Sequence, residues 1–187
     1  MKYVNNGLLC VGVLLTTACT HSPIHPVVHD FGLPAPITNH QAIHTEARTL
    51  TVDAPTWLWD NRLRYRRLYA PQTQIGFYAL DLWIAPPPEL LEQRLMASGK
   101  LQNYVLTISL QSFEQQFLTP DQSRVVMSFF VEAYSPDKKN KLGSQLFYLE
   151  QQTATANAAG AVNGFSGLTS KAADNIQDWL THLSAKP

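Results

Sequence analysis

The apolar period changes late in the chain, and this narrows the possible folds more than any other feature. Tyr104, Leu106, Ile108 and Leu110 alternate as a half-buried strand should, whereas Phe113 and Phe117 carry on with the opposite parity. A bulge or twist near Gln111-Ser112 is therefore expected to reconcile the two halves of one strand. Thr119-Pro120-Asp121 then turns the chain into Val125, Met127, Phe129, Val131 and Ala133, the unbroken apolar face of a second strand. Pro136 to Asn140 reads as the next turn, and Gln145 to Gln151 as a third strand. After Asn157 the spacing becomes three and four: Val162, Phe165, Thr169, Ala172, Ile176, Leu180 and Leu183 trace one stripe of a long C-terminal helix. Gly160, Gly164 and Gly167 weaken the start of that helix, so their expected role is close packing of backbone on the sheet.

Upstream, Leu50-Thr51-Val52 reads as a strand, Ala54-Pro55 as a turn before Trp57-Leu58-Trp59, and Leu63 to Tyr69 and Ile75 to Ile84 as two further strands. Pro86-Pro87-Pro88 closes the last of these. Leu91 and Leu95, four apart, then mark a helix over Glu89 to Met96, with Gly99 as its stop. Proline is tolerated in a first helical turn, and an early glutamate suits the positive end of the helix dipole. Strands in runs, with one short central helix and one long C-terminal helix, predict an α+β domain: an antiparallel sheet of several strands backed by the two helices.

The N-terminus carries a different kind of information. Lys2 precedes the apolar run Leu8 to Leu15, and small residues Thr16-Thr17-Ala18 lead to Cys19. This is the layout of a secretory signal peptide. A helical run of about eight residues spans only about 12 Å against roughly 30 Å of hydrocarbon, so it is no permanent membrane anchor. A cysteine directly after the small residues resembles the bacterial lipobox, although Thr16 stands where that pattern favours leucine. The resemblance implies cleavage before Cys19, a covalent N-terminal lipid on Cys19, and, with Thr20 rather than aspartate next, sorting to the outer membrane on its periplasmic side. The expected organisation is a signal peptide over 1–18, a lipidated tether over 19–46, which is proline-rich with a short strand near Val27 to Phe31, and a folded domain over 47–187.

Cys10 leaves with the signal and Cys19 is acylated, so no disulfide framework is available and the core must hold the fold. Losing Lys2 leaves thirteen basic against fourteen acidic residues, a balance that gives no electrostatic reason to bind nucleic acid. Five histidines, His21, His25, His29, His40 and His44, fall in the expected tether, where Pro23 and Pro26 forbid a regular helix aligning the first three. They read as solvated residues rather than as a metal site, and His182 as a cap near the end of the last helix. Gly164-Phe165-Ser166-Gly167 lacks the spacing and context of a nucleophile elbow. No phosphate-cradling glycine loop is present. Neither catalysis nor a cofactor beyond the Cys19 lipid is expected.

The informative cluster is aromatic and basic: Trp57, Trp59, Arg62, Arg64, Tyr65, Arg66, Arg67, Tyr69, Phe77, Tyr78 and Trp83. Strand alternation sends about half of these to the core. Aromatics left outside beside arginines have the composition of an interface centre, with Trp57, Trp59, Arg64, Arg66 and Arg67 as the candidate docking residues. The alternative is that the rings are all core and the arginines simply solvated.

Ala54-Pro55-Thr56-Trp57-Leu58, Leu63-Arg64-Tyr65-Arg66, Tyr78-Ala79 with Trp83, Pro87-Pro88-Glu89-Leu90-Leu91 with Arg94-Leu95, Phe113 to Phe117, and Ile176 to Leu180 together resemble the ABC-type transport auxiliary lipoproteins, the paraquat-inducible protein C-like family. The likeness runs from about Leu50 to Leu183. It implies a non-catalytic subunit of an envelope lipid-transport system that meets a periplasm-spanning MCE-domain protein at the outer membrane, with homo-oligomerisation possible. Two alternatives are a structural lipoprotein that stabilises an outer-membrane assembly and a lipid carrier with a pocket between sheet and helices.

Overall fold

The computed structural model describes residues 25–32, 49–71 and 73–184. The signal peptide, Cys19 and the expected tether apart from residues 25–32 lie outside the described residues. In chain order the elements are β1 (Val27–His29), β2 (Leu50–Asp53), a 3-10 turn (Thr56–Leu58), β3 (Arg62–Arg67), β4 (Ile75–Trp83), α1 (Pro87–Ala97), β5 (Val105–Thr119), β6 (Gln122–Tyr134), β7 (Lys141–Gln152) and α2 (Ala158–Ser184). The fold is α+β, with a short central and a long C-terminal helix.

Among the described residues the sheet has seven strands, in the order β1-β4-β3-β5-β6-β7 with β2 also paired to β5. It is mixed, which corrects the expectation of an antiparallel sheet. β3–β4, β5–β6 and β6–β7 are antiparallel, whereas β1–β4, β2–β5 and β3–β5 are parallel. The reason lies in the connection through α1. It carries the chain from β4 past β3, so that β5 is laid on the far edge of β3 and runs the same way as β3 and β2. β5 is long enough to hold two partners end to end: β2 along Leu106 to Ser109 and β3 along Gln115 to Phe117.

The expected parity switch is present as a register shift between Leu110 and Ser112 against β6. Leu106, Ile108 and Leu110 before it, and Phe113, Gln115 and Phe117 after it, are all buried. On β6, Val125, Met127, Phe129, Val131 and Ala133 are fully buried, and α2 packs on β6 and β7. Phe165 of α2 stacks on Phe113 with ring centroids 3.8 Å apart, Trp83 closes edge-on against both, and Phe31 packs edge-on to Trp83 and tilted against Phe113. Further along, Phe129 stacks on Phe147, which meets Trp179. These rings fill the space between sheet and helices.

Gly164 shows why glycine suits the start of α2: a Cβ there would lie 2.8 Å from Val125 Cγ2, so the helix backbone rests directly on β6. α1 opens on Pro87 and Pro88 and ends before Gly99, whose φ of +68° is the left-handed conformation that stops a helix. His182 Nδ1 donates to the Asp178 carbonyl at 2.6 Å near the end of α2.

The segment around β1 belongs to the folded body. Phe31 is in the core, and Ser166 Oγ donates to its carbonyl at 2.7 Å. His29, expected to be a solvated tether residue, instead lies 2.9 Å from Asp81 across the β1–β4 pair. His25 is exposed, and the other tether histidines lie outside the described residues.

Candidate docking surface

The two short strands beside β5 leave a gap between them. On β5, residues 110–114 separate the two pairings, while the opposing chain uses residues 54–64 to cross the same distance. The surplus is pushed out as a tongue that contains the 3-10 turn. Leu58 at its centre is buried and pins the tongue to the core. Around Leu58 the backbone is tied down: Trp59 Nε1 donates to the Ala54 carbonyl at 3.0 Å, and the Arg64 guanidinium donates to the Trp57 carbonyl. At the base, Asp60 pairs with Arg62 at 2.7 Å and accepts the Arg62 amide at 3.0 Å. Burial opposes ionisation of Asp60, but these bonds outweigh it and hold its carboxyl below the usual value. The result is a braced loop that presents Trp57 58% exposed and Trp59 44% exposed.

Alternation then divides the arginines. Arg64 and Arg66 point to the sheet face away from the helices, and Arg67 shares the opposite side with Tyr65, as the pairing of Arg66 with Gln116 and of Arg67 with Phe117 requires. Arg64 is half-buried, and that burial lowers its pKa from the ordinary guanidinium value. Its side chain supports the tongue, and its charge lies 5.5 Å from the Phe77 ring centre, with Arg62 at 3.8 Å on the same ring. Arg66 is one end of a polar ladder across the open face. It bonds both oxygens of Glu114 at 2.9 and 3.2 Å. Gln116 bonds Glu114, Arg124 bonds Gln116, and Arg124 pairs with Glu150 at 2.8 Å. Arg67 is exposed and lies over the Tyr65 ring at 5.3 Å. The structure therefore brings Trp57, Trp59 and Arg64 together, assigns Arg66 to a structural network, and places Arg67 on the other side of the sheet.

The fold is a known one. A Xanthomonas campestris protein described as belonging to the DUF330 family superposes with a TM-score of 0.61 at 14% identity, covering 72% of this chain and 83% of that one. The structure of an uncharacterised protein superposes at 0.63 and 15% identity, covering 83% and 99%. A third chain, from Caulobacter crescentus CB15 and provisionally named a lipoprotein, reaches only 0.39 at 16% identity over 53% and 84%, too low to carry an argument. No family model matches the sequence, and no curated protein does.

Sequence reasoning missed the open face itself. Leu146 and Tyr148 on β7 are exposed there beside the partly buried Phe130, and neither helix covers them. The signal was available: Leu146-Phe147-Tyr148-Leu149 is apolar at both parities, which a strand with a single buried face does not need. Among the described residues no helix is long and apolar enough to cross a membrane, and no three His, Cys, Asp or Glu side chains are grouped to hold a metal ion.

Proposed function

We propose that this protein is an outer-membrane lipoprotein, anchored through Cys19, that serves as a non-catalytic auxiliary subunit of an ABC-type, MCE-type intermembrane lipid-transport system. Its action is to dock a periplasm-spanning MCE-domain partner through the tongue. The observation that carries the docking role is the tongue itself: two tryptophans held about half exposed by a buried leucine and a backbone-bonded arginine. Exposed large aromatics cost solubility, and tryptophan beside arginine is the composition enriched at interface hot spots. The motif residues shared with the auxiliary lipoproteins support the same reading, since they fall at structural joints: Trp57-Leu58 in the 3-10 turn, Tyr65-Arg66 beside β5, and Pro87-Pro88 at the opening of α1. The filled space around Phe113, Phe165, Phe129 and Phe147 favours docking over the alternative of a lipid carrier with a pocket between sheet and helices.

The test is affinity purification of the tagged chain from detergent-solubilised envelopes, alongside Cys19→Ser. Recovery of an MCE-domain protein with the wild type, and release of Cys19→Ser from the outer membrane or its retention as an uncleaved precursor, are the expected results. A processed Cys19→Ser form that still fractionates with the outer membrane would reject the anchor.

A further inference from the structure

The distance from the proposed anchor to the fold is short. Val27, the first residue of β1, follows Cys19 by eight positions, and a chain of that length reaches at most about 28 Å when fully extended. β1 is held in the fold by its pairing with β4, by the bond from Ile84 N to the His29 carbonyl at 2.8 Å, and by Phe31 in the core. Seven residues, 20–26, thus separate Cys19 from β1, which lies at one edge of the sheet. In strand order β7 is the opposite edge, about 24 Å away at the usual spacing between strands.

That edge exposes three aliphatic side chains beside the carboxylate of Asp30. Val27 is 55% exposed, Val28 54%, and Ile84, one position beyond the end of β4, 66%. Val28 and Ile84 line one shallow cleft of about 350 Å³, together with Val162 near the start of α2. Of the polar side chains around it, His29 pairs with Asp81, Asp30 accepts from the Gly32 amide and Ser166 donates to the Phe31 carbonyl, while Asn163 is exposed at its rim.

We infer that the β1 edge, with Val27, Val28 and Ile84, rests on the phospholipid surface to which Cys19 is anchored. The inference rests on the anchoring proposed above. A leash this short holds the patch near the interface at an effective concentration of millimolar order, so a few apolar side chains suffice as a second membrane contact. The consequence is orientation, because the sheet stands with β1 at the bilayer and turns the β7 edge away from it.

The test uses the lipidated chain, purified from envelopes and reconstituted in phosphatidylethanolamine–phosphatidylglycerol vesicles, with one fluorophore attached at Val28→Cys, Ile84→Cys or Tyr148→Cys. Cys10 departs with the signal and Cys19 is blocked by its lipid, so each variant offers one thiol. Iodide is expected to quench the labels at 28 and 84 at least about threefold less on vesicles than in a soluble chain that begins at Thr20, and the label at 148 equally in both. Equal quenching of all three labels on vesicles, with the N-terminal peptide shown by mass to be acylated, overturns the inference. An unacylated Cys19 instead overturns the anchoring reading and this inference with it. The peptide mass tells the two failures apart.

Discussion

Phe129 and Phe130 are neighbours on β6 that point to opposite faces, and replacing each by alanine tests the register of the whole sheet. Phe129 is fully buried and stacked on Phe147 at 5.1 Å, with 18° between the rings. Phe130 pairs with Leu146 on the open face and is only partly buried. Truncating a fully buried phenylalanine forfeits its transfer free energy and leaves a cavity under α2, together about 3–5 kcal/mol. That is a large fraction of the roughly 5–15 kcal/mol that holds a typical domain together. At about 2.1 cal/mol/K per residue over roughly 140 folded residues, it corresponds to a fall in Tm of about 10–17 °C. Phe130→Ala, whose side chain already meets solvent, should cost about 1 kcal/mol and a few degrees. Thermal unfolding followed by circular dichroism separates these values easily. Equal losses, or a larger loss at Phe130, would refute the register, because a slip of one residue exchanges the two faces.

Two further outcomes follow from polar contacts. Tyr78 is partly buried and donates to Gln115 Oε1 at 2.7 Å, and burial pushes its phenol up to about 12. Raised in the fold above its unfolded value, it favours the folded state fully below about pH 10 and loses that contribution as pH rises through the folded value. An alkaline absorbance titration should show a late tyrosine step that Tyr78→Phe removes, and an unchanged titration in that variant would contradict the assignment. Glu114→Leu should destabilise by about 1–3 kcal/mol in denaturant unfolding, since it breaks the bidentate bond that holds Arg66 in the ladder. A variant as stable as the wild type would show that the ladder adds nothing.

Elements with their own periodicity were legible in the sequence. The parity change between Leu110 and Phe113 marked the bulge, the odd positions of β6 marked the face under α2, and the stripe from Val162 to Leu183 marked α2 itself. What could not be read was which strand lies beside which. The parallel pairing of β2 and β3 with β5 depends on how α1 carries the chain past β3, and no local pattern records that path. For the same reason Phe31 looked like part of a tether: a single aromatic between prolines carries no period, and its burial depends on Trp83, Phe113 and Phe165, which are distant in sequence. Within the candidate site, composition identified the tryptophans and alternation separated the arginines. The tongue that unites Trp57, Trp59 and Arg64 exists because two strands share one long partner, a tertiary circumstance.

Co-purification tests the central claim most directly, and the decisive comparison is the wild-type chain against Trp57→Ala and the double variant Trp57→Ala/Trp59→Ala, each tagged and recovered from solubilised envelopes. Trp57 donates no side-chain hydrogen bond among those described and is the more exposed of the two, so its removal should leave the tongue in place and shift Tm by no more than a few degrees. A hot-spot tryptophan contributes about 2 kcal/mol or more, so the account predicts that the wild type retains an MCE-domain protein and that the variants lose it by about tenfold or more. Undiminished recovery of that partner by the folded double variant, or its absence from the wild-type sample, would contradict the docking role.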